Sequence, residues 1–316
     1  MADLAASEPS ELTALPPRKQ TSVVRRIIRS RNLYLVLLPA LTLLLVFDWY
    51  PAASALYNSF YAWNGGKLHK FIGLENYAYM LQDRAFTTSL RNLVFFVGFR
   101  VIFQTVFPFI AAELIVNLKN ANWAYRWKLI FVIPMVVPYL VMVLIWRFIY
   151  SPQMGLLNQI LELVGLQSWT HAWLSDPAFA MWAIGFVRFP WLPTLQFLIL
   201  LGGLQSIPPE VLESSQIDGA GLLRRIRHID IPMIMGQIKL VVILTAIFMT
   251  QRFDLFLVLT DGGPGYATMV PALHLYHSAF NFLEFGYASA IGVVLFIIML
   301  TLTVINLRYV QTEEGV

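Results

Sequence analysis

The sequence predicts an all-α integral membrane protein with six transmembrane helices, and its composition, its apolar segments and its charge distribution support this fold class. Hydrophobic residues make up 58% of the 316 residues, charged residues make up 13%, and the mean hydropathy is +0.66. This composition is too apolar for a soluble domain of this size. Helices are expected because lipid offers no hydrogen-bond partner to exposed backbone groups.

Six apolar segments approach the roughly 20 residues that a helix needs to cross a bilayer. The first runs from Leu33 to about Asn58, and the others cover residues 92–117, 128–150, 178–203, 238–259 and 287–309. The predicted organisation is a leader (1–32), a first helix with an outer segment (33–87), a transmembrane domain (88–309) that contains a polar loop (206–232), and a tail (310–316).

The leader is basic and rich in serine and proline, which predicts a disordered cytoplasmic segment. A basic stretch before an apolar run, followed by Ala53-Ser54-Ala55, is also compatible with a cleaved signal peptide. We favour an uncleaved first transmembrane helix, because the apolar segment is long enough to span a membrane and the leader is long for a signal.

Lysines and arginines in the connecting segments and at the ends of the apolar segments are distributed unequally between the two sides of the membrane. Fourteen fall on the side that holds both termini and the polar loop, and four fall on the other side. The positive-inside rule therefore places both termini and the loop in the cytoplasm. Membrane topology explains the net charge of +4 better than nucleic-acid binding does.

Several chemistries are excluded by the residues that the sequence lacks. It contains no cysteine, which rules out disulfides and thiolate metal sites. It also lacks the G-x-x-x-x-G-K-[ST] pattern that cradles nucleotide phosphates, so the chain cannot bind ATP by that route and any energy from ATP would come from another polypeptide. His274 and His277 are three residues apart, but a metal site needs more ligands, so both are predicted to lie on the surface.

The polar loop is the longest polar interval between two apolar runs. A helix is expected to begin near Pro208 with Ser206 as its cap, and Gly219 and Gly221 are expected to interrupt it. A second short helix is expected to end at Pro232. On physical grounds alone, such a helix–glycine–helix elbow suits a groove in a partner protein and a lipid surface equally well.

The pattern of this loop resembles the signature loop of the permease subunits of binding-protein-dependent ABC importers. It reads Glu213-Ser214-Ser215, three residues, Gly219, nine residues, and Ile229-Asp230-Ile231-Pro232. Serines stand at two positions where the family usually has alanine, and Ile231 replaces the usual leucine. The resemblance implies a type I ABC importer permease fold in which this loop docks into an ATP-hydrolysing subunit. The implied coupling residues are Glu213, Ser214, Ser215, Asp218, Gly219, Gly221, Ile229 and Pro232.

Three other stretches resemble the carbohydrate permeases of this group, which include maltose-type and glycerol-phosphate-type permeases. They are Phe71–Tyr77, Leu259–Pro264 and Gly286–Ala290. The resemblance implies half of a pathway for a sugar or sugar-like solute, a second homologous permease subunit, an ATPase dimer and an extracytoplasmic substrate-binding protein. It also implies that the chain is not an enzyme and binds no cofactor, while ATP and Mg are used by the ATPase. A member of this group would cross a bacterial or archaeal cytoplasmic membrane several times.

Four arginines, Arg100, Arg147, Arg188 and Arg252, lie within the predicted spans. A charged side chain at the bilayer centre costs roughly 2.5–3.5 kcal/mol or more, so such residues are expected to face protein or water. Arg147 is close enough to a helix end to reach the interface, and Arg100 is expected to do the same or to pair with an acid. Glu113, near the end of the second span, is expected to reach the interface or to pair with Lys119.

Arg188 and Arg252 are predicted to lie deep within the fourth and fifth helices. A functional interpretation places them on a sugar pathway, because sugars need bidentate donors and acceptors together with an aromatic face. A structural interpretation pairs either arginine with Asp254 or with a residue of a partner permease. Prolines in the third and fourth spans are expected to kink or break these helices, so that the freed carbonyls either line a cavity or bind neighbouring helices. The candidate pathway residues are Arg188, Trp191, Gln196, Gln251 and Arg252, and the prolines are Pro134, Pro138, Pro190 and Pro193.

Two other functions compete with the importer subunit. A self-sufficient ion-coupled secondary transporter would need acidic residues deep in its helices, whereas the acids here lie nearer to helix ends. A membrane enzyme would need a clustered acid–base or metal site at an interface, and the sequence shows none.

Overall fold

The structure, a computed structural model, describes residues 31–309 and is mostly helical. The chain divides into two compact units, Met1–Ala53 and Ser54–Val316, each described here by itself. The predicted disorder of the leader and the predicted cytoplasmic tail therefore fall mostly outside the described residues. In the first unit, helix α1 (Arg31–Leu44) passes through a π-helical turn (Leu45–Trp49) into helix α2 (Tyr50–Asn58), which continues across the boundary.

A short hairpin follows helix α2. Strand β1 (Tyr61–Trp63) pairs antiparallel with strand β2 (His69–Phe71), with Tyr61 opposite Phe71, and helix α3 (Glu75–Gln82) comes next. The Asn76 side-chain amide donates to the carbonyls of Ser59 and Tyr61, at 2.8 and 3.0 Å. The Phe71–Tyr77 stretch therefore fastens the hairpin to helix α3. The sequence predicted only a turn and a helix here, because three-residue strands carry little periodicity.

The remaining elements follow in chain order. They are α4 (Arg84–Val116), α5 (Ala121–Val132), a 3-10 turn (Ile133–Val136), α6 (Tyr139–Ile149), α7 (Leu156–Leu163), a 3-10 turn (Gln167–Trp169), α8 (Ala180–Phe186), α9 (Thr194–Gln205), α10 (Pro209–Ile217), α11 (Leu222–Arg225), a π-helical turn (Ile226–Asp230), α12 (Ile231–Met233), α13 (Met235–Thr250), α14 (Asp254–Leu259), α15 (Pro271–Tyr276), a π-helical turn (His277–Asn281) and α16 (Phe285–Tyr309).

Within residues 31–309, three helices are long and apolar enough to cross a membrane, namely Leu35–Asn58, Arg84–Val116 and Phe285–Ile305. Three bent helix pairs pass the same test, which brings the total to six if each pair counts as one span. Six spans agree with the fold class that the sequence predicts. The bend between helices α5 and α6 is 94° and falls at Val137 and Pro138, directly after the 3-10 turn that contains Pro134.

The predicted spans 178–203 and 238–259 are wrong in detail, because each is interrupted. Helix α8 ends at Phe186, and helical structure resumes only at Thr194, after two prolines whose rings cannot donate to a helix ladder. Helix α13 ends at Thr250, and α14 begins at Asp254. Arg188 and Arg252 consequently lie at breaks between helices, and neither lies inside a helix as predicted.

Helix α4 forms the centre of the second unit. It packs along α9 and α13, and large apolar side chains such as Phe96, Phe197 and Phe256 are completely buried between elements. Because lipid tails are as apolar as these side chains, the gain comes mainly from dispersion and close packing rather than from water release. Gly185 supports this packing, since a Cβ there would meet the Phe99 ring at 2.9 Å.

Candidate functional site

The segment from α10 to α12, residues 209–233, is called the coupling segment below. Its first helix ends in a Schellman motif at Gly219, which has a φ of +72°. The Ala220 amide donates to the Ser215 carbonyl at 2.9 Å, and the Gly219 amide donates to the Gln216 carbonyl at 3.0 Å. This pair of hydrogen bonds requires a left-handed residue at the turn, which glycine adopts without a steric penalty. The predicted glycine interruption is therefore present.

Two details of the predicted loop are wrong. Ser206 does not cap α10, because its hydroxyl donates back to the Gly203 carbonyl at the end of α9, and Pro208 occupies the cap position. Pro232 does not end the second helix, since helical structure continues to Met233 and the break falls at Ile234. The π-helical turn just before Pro232 lets the chain remain helical around a residue without an N–H group.

The coupling segment presents both polar and apolar side chains on its surface. Glu213, Ser214, Asp218, Gly221 and Pro232 are exposed, Ile229 is half-buried, and Ser215 is buried with its hydroxyl donating to the Leu212 carbonyl. Ile217 and Leu223 flank the glycine turn and are 86% and 82% exposed. Such an exposed apolar pair beside a polar rim is typical of a surface that meets another protein.

Arg225 anchors the coupling segment to the Val116 end of helix α4. Its Nε donates to Asp230 Oδ2 at 3.0 Å, and its guanidinium also donates to Asn117 Oδ1 at 2.8 Å. The same group lies 3.6 Å from the buried carboxylate of Glu113. The prediction that Glu113 reaches the interface or pairs with Lys119 is therefore wrong, because the loop folds back and brings Arg225 closer.

A cavity of about 190 Å³ lies in the second unit, between α4, α6, α9, α13 and the breaks after α8 and α13. Arg188, Trp191, Gln196 and Arg252 line it, so four of the five candidate pathway residues come together. Gln251 does not line it, because its side-chain amide points to Met299 Sδ at 3.1 Å on α16. A neighbouring cavity of about 370 Å³ shares Arg188 and Gln196 with the first.

The two predicted arginines differ in their partners. Arg252 pairs with Asp254 at 3.0 Å, as the structural interpretation expected, and its guanidinium lies 4.0 Å from the centre of the Tyr139 ring. Arg188 has a φ of +78°, and its half-buried side chain makes no hydrogen bond or ion pair within residues 31–309. Arg252 is therefore held in the cavity wall, whereas the Arg188 guanidinium has no hydrogen-bond or ion-pair partner within residues 31–309.

Arg100 also lines this cavity, a role that the sequence did not indicate. It is 4% exposed and donates to the carbonyls of Gly185 and Val187, at 3.1 and 3.2 Å. Carbonyls at the C-terminal end of a helix lack intrahelical partners and carry partial negative charge, so they stabilise a nearby cation. The prediction that Arg100 reaches the interface or pairs with an acid is wrong, because the break after α8 supplies its acceptors.

Uncharged polar groups complete the cavity. The Gln196 side-chain amide donates to Gln104 Oε1 at 3.2 Å and to Thr245 Oγ1 at 3.3 Å, and all three residues are buried. These contacts connect α9 with α4 and α13 beneath the arginines. The cavity thus combines an aromatic face at Trp191, fixed amides and three guanidinium groups.

A second polar cluster lies where α3, α4, α15 and α16 meet. Asp83 Oδ2 accepts hydrogen bonds from His274 Nε2 and from the Tyr287 hydroxyl, each at 2.7 Å, and Oδ1 accepts from the Ala85 amide. Burial raises the pKa of Asp83, but the hydrogen bonds from Tyr287, Ala85 and His274 outweigh burial and hold this pKa below its ordinary value.

The prediction that His274 and His277 lie on the surface is wrong. His274 is 7% exposed, and His277 is 9% exposed with its Nε2 2.9 Å from Asp261 Oδ1. Each ring therefore binds its own carboxylate. In the part of the chain that the structure describes, no three metal-ligating side chains come together.

The sequence matches a known family and several known permeases. Residues 104–312 match the family described as binding-protein-dependent transport system inner membrane component. The probable ABC transporter permease protein YurN of Bacillus subtilis is 35% identical over 286 residues, covering 89% of this chain and 96% of that protein. The sulfoquinovosyl glycerol transport system permease protein SmoG of Agrobacterium fabrum is 31% identical, covering 89% of this chain and 90% of that protein.

A solved structure shares the fold. The chain matches a bacterial alginate ABC transporter, crystallised in complex with an alginate pentasaccharide-bound periplasmic protein, with a TM-score of 0.81 and 20% identity. The match covers 93% of this chain and 99% of that chain. Since the family pattern spans more than half of the sequence and the relatives exceed 30% identity over most of it, the protein belongs to the inner membrane components of binding-protein-dependent transport systems.

Proposed function

We propose that this chain forms half of the translocation pathway for a sugar or sugar-like solute and takes its energy from a separate ATPase that grips the coupling segment. The observation that carries this proposal is the exposed elbow at Gly219, which lies in the segment that connects helices α9 and α13. Membership of the importer family supports a role in binding-protein-dependent import.

The coupling segment is suited to pass a displacement from a docked partner to helix α4. Its turn is fixed by two backbone hydrogen bonds, its exposed face offers Ile217 and Leu223, and Arg225 ties it to helix α4. A force applied by a docked partner would therefore reach α4, which packs against the helices that line the cavity. The coupling residues proposed are Glu213, Ser214, Ser215, Asp218, Gly219, Gly221, Ile229 and Pro232.

The cavity is proposed as this chain's part of the solute pathway. Trp191 supplies an aromatic face for sugar C–H groups, while Arg188, Gln196 and Arg252 supply donors and acceptors. The remaining wall would come from a second, homologous permease subunit. SmoG is named for a sugar glycoside, which supports a sugar-like solute for this chain.

The complete importer would contain this chain, a second permease, two copies of an ATPase and an extracytoplasmic substrate-binding protein. The charge distribution supports cytoplasmic termini and a cytoplasmic coupling segment. ATP and Mg would be bound by the ATPase, and this chain would bind no cofactor. ATP binding would close the ATPase dimer, move the coupling segment and reorient the spans around the cavity.

The test is reconstitution of the four components in liposomes. We expect solute uptake that needs ATP, the ATPase and the binding protein together. Glu213→Ala is expected to uncouple the two activities, so that ATP hydrolysis persists while uptake falls; Glu162→Ala, an exposed acid on helix α7, serves as the control. Uptake by vesicles that contain this chain alone, without nucleotide, would contradict the proposal and support an ion-coupled transporter.

A further inference from the structure

We propose that the transported solute is an anion, and that Arg188 contacts its carboxylate, sulfonate or phosphate group in the cavity. This inference rests on the proposed function, because it assigns a chemical class to the solute of that same pathway. It begins with the charges that surround the cavity.

Three guanidinium groups, those of Arg100, Arg188 and Arg252, line one cavity of about 190 Å³. Within residues 31–309, Asp254 is the one carboxylate that pairs with any of these arginines, and it binds Arg252. The site therefore carries a formal excess of two positive charges. Apolar walls keep the surrounding dielectric low, so these charges attract an anion more strongly than they would in water.

The three arginines have different tasks. Arg100 is enclosed and bound to two carbonyls, so it contributes its field without reaching the solute. Arg252 is held by Asp254 and by the face of Tyr139. Arg188 alone among them has no hydrogen bond or ion pair in the described chain, and it lies where the two neighbouring cavities meet.

A neutral solute would leave this charge uncompensated. Amides and hydroxyls are sufficient to bind neutral sugars, and the cavity already offers Gln104 and Gln196 for that purpose. A guanidinium fork binds the paired oxygens of a carboxylate, sulfonate or phosphate with two parallel hydrogen bonds. The arrangement thus separates tasks, with the amides and Trp191 binding the sugar ring and Arg188 binding the anionic group.

Binding to the full-length chain in nanodiscs tests this directly. The probes are D-glucose, D-glucuronate and D-glucose 6-phosphate, followed by calorimetry and by Trp fluorescence. We expect at least one anionic probe to bind about 10-fold or more tightly than glucose, since charge-assisted hydrogen bonds contribute roughly that factor. Arg188→Gln should remove the difference and Arg188→Lys should restore part of it, while Arg147→Gln, an exposed arginine outside the cavity, should leave it unchanged.

Uptake by the reconstituted importer separates this inference from the proposed function. ATP-dependent uptake of an anionic solute that Arg188→Gln lowers by about 10-fold or more supports both. ATP-dependent uptake of a neutral sugar that is unaffected by Arg188→Gln overturns the anion assignment and leaves the importer function standing. No ATP-dependent uptake of any solute overturns the function itself.

Two further outcomes also overturn the assignment. One is equal binding, or no binding, of all three probes to the chain in nanodiscs. The other is loss of co-purification with the second permease in Arg188→Gln, which would show that an acidic residue of that subunit is the partner of Arg188.

Discussion

Arg225 lies 3.6 Å from Glu113, so a residue of the coupling segment is bound to the end of the central helix α4. Two carboxylates, Glu113 and Asp230, face this one guanidinium, and one oxygen of each has no hydrogen-bond partner within residues 31–309. The two acids therefore share one cation, which makes the arginine more important to the fold than either acid alone.

Arg225→Gln is expected to destabilise the chain by about 3 kcal/mol, because it leaves two carboxylates buried without a cation. Glu113→Gln should cost less, because it keeps the Arg225–Asp230 pair. Thermal unfolding of the purified chain in detergent measures both. Equal losses in the two variants would contradict this assignment of charge.

Gly219→Ala is expected to destabilise the elbow by roughly 1–2 kcal/mol, because an L-residue there must adopt a left-handed conformation. No atom lies within 4 Å of the added Cβ, so the penalty is one of backbone conformation only. Gly165→Ala is the matched control, since Gly165 has a φ of +80° and equally open surroundings but lies outside the coupling segment.

The measurement for this pair is ATP-driven uptake together with ATPase activity in the assembled importer. Gly219→Ala should lower the ratio of uptake to hydrolysis, and Gly165→Ala should leave it unchanged. If both variants transport normally, the turn is not required for coupling.

Gly286→Ala is expected to separate the β1–β2 hairpin from helix α16. A Cβ at Gly286 would collide with the Tyr61 carbonyl, which belongs to the strand backbone and cannot rotate away. Overpacking of this kind costs roughly 1–3 kcal/mol. Gly292→Ala, on the same helix, meets only the flexible Leu275 side chain at 3.4 Å and should be neutral or stabilising. Thermal unfolding and protease sensitivity of the hairpin would distinguish the two variants.

Acid should loosen the cluster around Asp83. A carboxyl whose pKa is lower in the folded than in the unfolded chain stabilises the fold above its unfolded pKa, and this contribution is lost as the pH falls through the folded pKa. Stability from Asp83 should thus be complete at neutral pH and decline below about pH 4. Asp83→Asn should remove that acid-sensitive component in unfolding measured against pH, whereas Glu162→Gln should retain it.

The sequence was most informative where a signal was local and chemical. Gly219 marked the turn because few other residues tolerate its conformation, and the apolar segments marked six spans because a bilayer sets a fixed length. The sequence was least informative where apolar composition concealed a break. Residues 178–203 read as one helix, although the chain leaves helical geometry after Phe186 and its carbonyls there bind Arg100.

The sequence also could not predict contacts between residues that lie far apart along the chain. Arg100 and the Gly185 carbonyl are 85 positions apart, and Asp83 and His274 are 191 positions apart. No periodicity relates such residues, because their proximity depends on how α4 packs against later helices. Grouping Arg188 with Trp191 and Gln196 succeeded because these residues are close in sequence and surround one break.

Arg188 stands at a backbone position that glycine would occupy with less conformational strain. A side chain at a φ of +78° gives up roughly 1–2 kcal/mol of folding free energy, yet within the described chain its guanidinium makes no hydrogen bond or ion pair. Arg188→Gly should therefore produce a more heat-resistant protein that no longer transports. A screen that selects variants of this permease for heat resistance would therefore favour Arg188→Gly and, with it, the loss of transport.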